Sequence, residues 1–314
     1  MYNLSSMMHI LGTCRLGAMV FAALASAVPC HAAERGLSHY LAGYYGDFGV
    51  AIAPSPGLYV YATSYNFQAT QDISTGSGRI SLDANAFIYG FQKVTAEKFF
   101  GADLAFGAYS AYISANLGIS LSVPSGTAKS VFHSEGQADT SVSPVILYWS
   151  SGNWHWNLYE AIFIPTGKFD AQSSLNLGRN YFSFDTVFAT TWLDQKAGIE
   201  ISVVQGLMVN TENTDTHFKT GSELHIDGML NRFVSPQFAL GMQGYVYTQI
   251  ERDSGFGVSN GGARSYSVAA GPSFMWLPTG LGIDGKIVGK WLHDLDAESR
   301  FSGDVLSLTG VVKF

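Results

Sequence analysis

The chain has 314 residues, 13% of them charged and 14% aromatic, and a formal net charge of −7. Charge at about half the share usual in a soluble globular protein argues against an ordinary soluble domain, and an acidic balance without a Lys/Arg cluster excludes nucleic acid as a partner. Both cysteines, Cys14 and Cys30, lie near the start, so the remaining chain offers no disulfide, no thiolate metal site and no cysteine nucleophile.

Arg15 is the only Lys, Arg, Asp or Glu before Glu34, and the apolar run Leu16–Val28 is followed by Pro29-Cys30-His31-Ala32-Ala33. A run of about 13 residues is short of the roughly 20 that a membrane-spanning helix needs. Residues 1–32 therefore read as a cleaved secretory signal. Residues 33–56 are too irregular for a spanning strand, with Gly43, Gly46 and Gly49 among aromatics and Pro54-Ser55-Pro56 at the end. They are expected to fold into the lumen of the structure that follows, with Tyr44, Tyr45, Asp47 and Phe48 forming a plug.

From residue 57 onward the dominant period is two. Ile199, Ile201 and Val203 alternate with Glu200 and Ser202, and Leu224 and Ile226 alternate with Glu223, His225 and Asp227. Turn signals divide 57–314 into strands over about 57–68, 80–94, 101–114, 115–123, 139–150, 154–164, 181–193, 195–208, 217–229, 234–250, 264–277, 280–293 and 300–314, with loops such as 71–78, 125–138, 170–180 and 253–262. Thirteen is an odd count, and bacterial single-chain barrels use an even number of strands. The expectation is one all-β domain, an antiparallel transmembrane β-barrel of about 12 strands, with 14 as the alternative.

Alternation alone fits a soluble sandwich as well as a barrel, and the last strand helps to choose. Leu306, Leu308, Val312 and the terminal Phe314 share one face, opposite Ser307, Thr309 and Lys313. A final amphipathic strand ending in Phe resembles the assembly signal read by the barrel-assembly machinery. Low charge and abundant aromatics without a spanning helix point the same way.

Several residues are candidates for a lumenal site. Glu223, His225 and Asp227 share one row, and Asp284, Lys286 and Lys290 share another. With Glu160 and Glu200 they form a charge ladder that should point inward, because Lys or Arg facing lipid costs about 2–4 kcal/mol at mid-membrane. Glu160 fits poorly, since its parity is shared with Trp154, Trp156, Ile162 and Ile164. Tyr59 and Tyr61, with Tyr65 and Phe67, form an aromatic stripe for planar apolar solutes if their parity faces the lumen, and an interfacial girdle if it faces lipid. Tyr148, Trp149, Trp154 and Trp156 flank a turn at Ser151-Gly152 and read as such a girdle. Steps of ~7 Å along one strand leave Glu223, His225 and Asp227 too far apart to share a metal. No His-Glu-x-x-His pair is present, and neither cofactor nor metal is expected.

A set of ordered motifs carries a family resemblance: His39-Tyr40-Leu41-Ala42-Gly43-Tyr44-Tyr45-Gly46-Asp47-Phe48, Pro54-Ser55-Pro56-Gly57-Leu58-Tyr59, Ile164-Pro165-Thr166-Gly167-Lys168-Phe169-Asp170, Leu177-Gly178-Arg179-Asn180-Tyr181-Phe182-Ser183-Phe184, Thr220-Gly221-Ser222-Glu223 and Gly244-Tyr245-Val246-Tyr247. In this order, over about 36–314, the chain resembles the meta-pathway phenol-degradation outer-membrane proteins, departing from them at His217-Phe218. The resemblance implies an outer-membrane barrel for passive uptake of small hydrophobic, aromatic (phenol-like) compounds without an enzymatic step, its partners being outer-membrane lipid, the barrel-assembly machinery and the solute. A lipid-modifying barrel with a Ser/His pair on its outer wall, and a structural or adhesive barrel, are the rival readings.

Overall fold

The computed structural model describes residues 37–73, 78–123, 126–256, 258 and 262–314; the expected signal over 1–32 lies outside them. The strands in chain order are β1 (Gly57–Asp72), β2 (Gly78–Phe99), β3 (Ala102–Val123), β4 (Gly126–Gln137), β5 (Thr140–Ser151), β6 (Trp154–Ile164), β7 (Ser183–Asp194), β8 (Ile199–Asn210), the two-residue β9 (Phe218–Lys219), β10 (Glu223–Ser235), β11 (Phe238–Gln249), the two-residue β12 (Ser254–Gly255), β13 (Tyr266–Trp276), β14 (Gly285–Glu298) and β15 (Ser302–Lys313). No helix among the described residues is long and apolar enough to cross a membrane.

Twelve strands form a closed antiparallel ring. Neighbours in sequence pair around it, and β1 meets β15 from Tyr59↔Lys313 to Thr70↔Ser302. The strand β4 is extra: it lies along the upper half of β3, from Tyr112↔Gln137 to Val123↔Gly126, while β5 continues in the same direction along the lower half. β4 and β5 are thus two parts of one descending path, interrupted at Ala138-Asp139. This resolves the odd predicted count. The predicted strands 101–114 and 115–123 are one strand, β3, and the predicted loop 125–138 is β4, whose exposed Thr127, Lys129, His133 and Glu135 mimic loop composition because its outer face meets water.

The side-chain rows decide between sandwich and barrel. Along β8, Glu200 is 1% exposed and Ile201 46%, and the alternation continues with Ser202 buried and Val203 exposed. The polar row is inside and the apolar row outside, the reverse of a water-soluble sheet. Phe87, Phe188, Leu207, Leu230, Val246 and Leu308 continue the exposed apolar band around the ring. The turns at one end are short (Phe100-Gly101, Gly152-Asn153, 195–198, 236–237), whereas the segments 165–182, 211–222, 250–256 and 262–265 are at the other. That asymmetry places the short turns on the periplasmic side of an outer membrane and the long loops outside. Trp149, Trp154, Trp156 and Trp192 meet at the periplasmic end, through Trp149↔Trp156 and Trp154↔Trp192, where indole suits the boundary between acyl chains and water.

β2 and β3 are 22 residues each, twice the roughly 9–11 that a bilayer requires. The outer face of β2 changes from Phe87, Tyr89 and Phe91 to exposed Ser81 and Asp83, so the upper halves project beyond the lipid. There the inward row packs as a water-soluble core would: Ile80, Leu82, Ile119 and Leu121 meet Leu175 and Leu177 of the long loop and Phe301 of the β14–β15 turn.

Four expectations need correction. Tyr148 is not part of the girdle: it is 6% exposed and points inward, where Gln92 Nε2 donates to its hydroxyl at 2.9 Å. Glu160 faces outward, because β6 pairs with β7 in unbroken register from Trp154 to Phe163; its carboxylate accepts from the Thr186 hydroxyl at 2.7 Å on the outer wall. Asp284 is not in a strand. Pro278 and a 3-10 turn over Thr279–Leu281, closed by left-handed Gly282 (φ 69°), delay β14 to Gly285, so the Asp284 side chain is 77% exposed, 3.8 Å from Lys313. The β5–β6 turn centres on Gly152-Asn153, since Ser151 already pairs with Trp154.

Because the outward row is solvated by acyl chains, Leu230→Arg on β10 is expected to lower the stability of the vesicle-embedded barrel by about 2–4 kcal/mol. The heat-modifiable folded band across a urea series measures this.

Candidate functional site

Residues 37–56 lie inside the ring and touch strands on several sides of it. Left-handed Gly43 and Gly49 (both φ 65°) permit the two tight turns closed by Tyr44 N→Leu41 O and Ile52 N→Gly49 O; a residue with a Cβ adopts this conformation only under strain. Toward β1, the Tyr65 hydroxyl donates to Ala42 O at 3.0 Å. Toward β7 and β8, Ala51 N donates to Thr191 Oγ1 at 3.2 Å and Gly49 N to Glu200 Oε1 at 2.8 Å. Toward β14, Lys286 Nζ sits 2.7 Å from Asp47 Oδ2 and 3.1 Å from Phe48 O. Lys290 Nζ donates to Gly43 O at 2.9 Å and also to Gly46 O. Phe48 is buried against Ala239, Met275 and Val288.

The most charged contact involves β7 and β10. His225 Nε2 lies 3.2 Å from both carboxylate oxygens of Asp185, and His225 Nδ1 lies 3.4 Å from Asp227 Oδ2. The Tyr45 hydroxyl donates to the other face of Asp185 at 2.6 Å. The imidazole reaches across β8 because residue 206 is glycine: His225 pairs with Gly206, and a Cβ there would collide with the ring. Tyr40 stacks on Tyr247 at 5.0 Å and lies 4.8 Å from His225, while Arg300 covers Tyr247 at 4.0 Å and donates to Tyr40 O at 3.3 Å. Burial pushes the Tyr44 hydroxyl up to about 12, so it remains a neutral donor at physiological pH.

At the break between β4 and β5, the Asp139 carboxylate accepts from His39 Nε2 at 2.8 Å, Gly167 N at 2.8 Å and Arg179 N at 2.7 Å. One carboxylate thereby joins the inner segment, the wall and the long loop. Burying it is tolerable because three donors replace its water.

Between this segment and the wall made by β1, β2, β3, β5 and β6 runs a cavity of about 800 Å³. The β1–β3 face of its upper part is apolar, with Phe67, Leu82, Ala84, Ala86, Ile113 and Ala115, while Asn176, Arg179 and Arg300 also line the cavity. Its lower tier holds Tyr59, Tyr61, Gln92, Tyr109, Tyr148 and Tyr159.

The structure brings Glu223, His225 and Asp227 together as one fully buried inward row, with Lys286, Lys290, Tyr44, Tyr45, Asp47 and Phe48 in the same interior, and turns Tyr59 and Tyr61 inward. Phe314 ends the outward row of β15, 76% exposed, with its backbone bonded to Leu58. The expected spacing of ~7 Å between same-row residues holds for backbones, yet the His225 and Asp227 side chains lean into contact. No group of three or more His, Cys, Asp or Glu that could hold a metal occurs among the described residues. Sequence reasoning missed Asp185, Asp139, His39 and Arg300, whose partners lie 28 to 260 residues away; alternation in β7 was the one signal that Asp185 points inward.

Removing the cation between two buried carboxylates costs about 3–5 kcal/mol. His225→Ala is therefore expected to speed maleimide labelling of a Val50→Cys reporter roughly a hundredfold, measured on the folded protein in detergent.

Among solved structures, the COG4313 outer membrane channel from Pseudomonas putida F1 is similar over 88% of this chain and 100% of that one, at 15% identity and a TM-score of 0.66, which shows the fold. The transport unit of the autotransporter AIDA-I from Escherichia coli matches at 11% identity over 86% of this chain and 93% of its own, with a TM-score of 0.44. No curated protein matches. The family described as "Putative MetA-pathway of phenol degradation" matches residues 60–309, and the chain, an outer-membrane β-barrel with a channel fold, belongs to that family.

Proposed function

We propose that the protein is a passive conduit for small hydrophobic, aromatic compounds across the outer membrane. The observation that carries this reading is the cavity: a porin lumen is polar, whereas this wall presents Phe67, Ala84, Ile113 and a cluster of tyrosines to its interior. Residues 37–56 act as a constriction, tied by Asp47–Lys286 and Tyr45–Asp185, so a solute passes between the segment and the β1–β6 wall without meeting a water-filled pore. Outward Leu306, Leu308, Val312 and Phe314 suit recognition by the barrel-assembly machinery. The family description names phenol degradation, which supports an aromatic solute.

The enzyme reading has one geometric point in its favour. His39 bonds both Ser183 Oγ (2.6 Å) and Asp139 (2.8 Å), the connectivity of a hydrolytic triad. Yet Ser183 is fully buried and donates to Asn210, so its hydroxyl proton points away from the base that would remove it. On the outer wall, His293 bonds Asp304, which Trp291 also approaches, and no serine joins them among the described residues. The spacing Gly257-Val258-Ser259-Asn260-Gly261 matches a nucleophile elbow in letters only: it falls between β12 and β13, not between a strand and a helix; all of it but Val258 lies outside the described residues.

Cells lacking the protein are expected to take up a radiolabelled aromatic hydrocarbon several-fold more slowly at low external concentration, restored by the full chain; equal rates would refute the conduit. In a planar bilayer, deleting residues 37–53 is expected to raise single-channel conductance, and an unchanged value would remove the constriction.

A further inference from the structure

We propose that the extracellular end of the cavity is a binding site for the carboxylate head of a fatty-acid-like amphiphile, in which Arg179 and Arg300 hold the anion and the apolar slot below them takes an extended alkyl chain. This rests on the uptake reading for its path and departs from it in the solute, which carries a charge and no ring.

Four Lys and Arg side chains border the cavity: Arg179, Lys286, Lys290 and Arg300. The lysines, toward the periplasmic end, are committed to the inner segment, Lys286 to Asp47 and Phe48 O and Lys290 to the Gly43 and Gly46 carbonyls. The arginines are not. Arg179 uses only its backbone, its N–H donating to Asp139 and its carbonyl accepting from Asn213 Nδ2; its guanidinium enters no hydrogen bond or ion pair among the described residues. Arg300 is 8% exposed, donates from Nη2 to Tyr40 O at 3.3 Å, rests on the Tyr247 ring at 4.0 Å, and leaves Nη1 without a partner. Arg179 belongs to the long loop 165–182 and Arg300 to the β14–β15 turn, and their near neighbours Leu177 and Phe301 pack in one core, which brings both arginines to the same end.

The acids nearby leave that positive charge uncancelled. Asp139 borders the cavity but is already held by three donors. Glu223 and Asp294 act on Arg300 through space, yet they form no ion pair with it, do not border the cavity, and are engaged by Asn210 and by Tyr245 with Gly303 N. A guanidinium presents a planar fork of donors that a carboxylate meets with two parallel bonds. The space below sets the rest of the ligand. From Tyr59 to Phe67 the cavity follows eight residues of β1, about 26 Å along the strand, so its roughly 800 Å³ amounts to about 30 Å² in mean section. That is a slot for one extended chain, not for bulky groups side by side. Its β1–β3 face, Phe67, Leu82, Ala84, Ala86, Ile113 and Ala115, offers no hydrogen bond, and each methylene laid against it is withdrawn from water. The charged head stays at the loop end, close to water, where its desolvation is least costly.

The test is calorimetric titration of the full chain in zwitterionic lipid nanodiscs, at neutral pH, with octanoate and octanamide, which share a chain length and differ in charge. Each affinity is referred to the solute's partition into protein-free discs. The expected octanoate-to-octanamide ratio is about tenfold above unity. Arg179→Gln lowers it several-fold, and Arg179→Gln/Arg300→Gln brings it to unity. The single variant breaks no side-chain bond within the protein, so it keeps the test decisive even where the double variant does not fold; heat-modifiable migration verifies folding of each. A ratio of unity or less in the native protein, or one unchanged in Arg179→Gln, overturns the carboxylate site. If both solutes bind with a native ratio of unity, the hydrophobic path stands and the carboxylate site falls; if neither binds, both fall.

Discussion

Closure of the backbone hydrogen-bond ladder is the constraint on which the remainder depends. A strand edge in hydrocarbon leaves a row of N–H and C=O groups unsatisfied, at several kcal/mol each. The twelve-residue pairing of β1 with β15 removes that edge. Once the ring is closed, each strand has one face toward acyl chains and one toward an enclosed interior, and the sequence must assign its apolar and polar rows accordingly. The inverted alternation of β8 and β10 follows, as does the outward position of Phe314.

An enclosed interior raises a second problem. Its polar row has little bulk water, so each charge needs a partner. The strands supply part of the answer, as with His225 between Asp185 and Asp227, and residues 37–56 supply another part: their carbonyls receive Lys290, their Asp47 meets Lys286, and the Gly49 amide donates to Glu200. The same segment divides the interior, with ionic contacts crowded against β7–β14 and an apolar, tyrosine-lined space left against β1–β6. Polar satisfaction and a hydrophobic path coexist because they occupy opposite walls.

The barrel class and most strand positions were legible because period two survives in nearly every strand and turns carry Gly, Asn or Asp. The barrel of about 12 strands was legible, whereas the division of the chain around β3 and β4 was not, because the outer face of β4 is in water and therefore reads as a loop. Glu160 remained ambiguous for a physical reason: a single carboxylate on the outer wall is tolerated when Thr186 donates to it. The inward row of Glu223, His225 and Asp227 could be read along one strand. The contact of His225 with Asp185 could not, because it crosses an intervening strand through the space left by Gly206, and alternation carries no information about that third direction.

The closed ring also constrains the order of assembly. The segment that fills the interior precedes β1, whereas the lysines that hold it belong to β14, next to the final strand. By the time β15 seals against β1, residues 37–56 must already be within the circumference or must thread through one end afterwards. The earliest part of the folded chain therefore finds its cationic partners among the latest, Lys286 and Lys290.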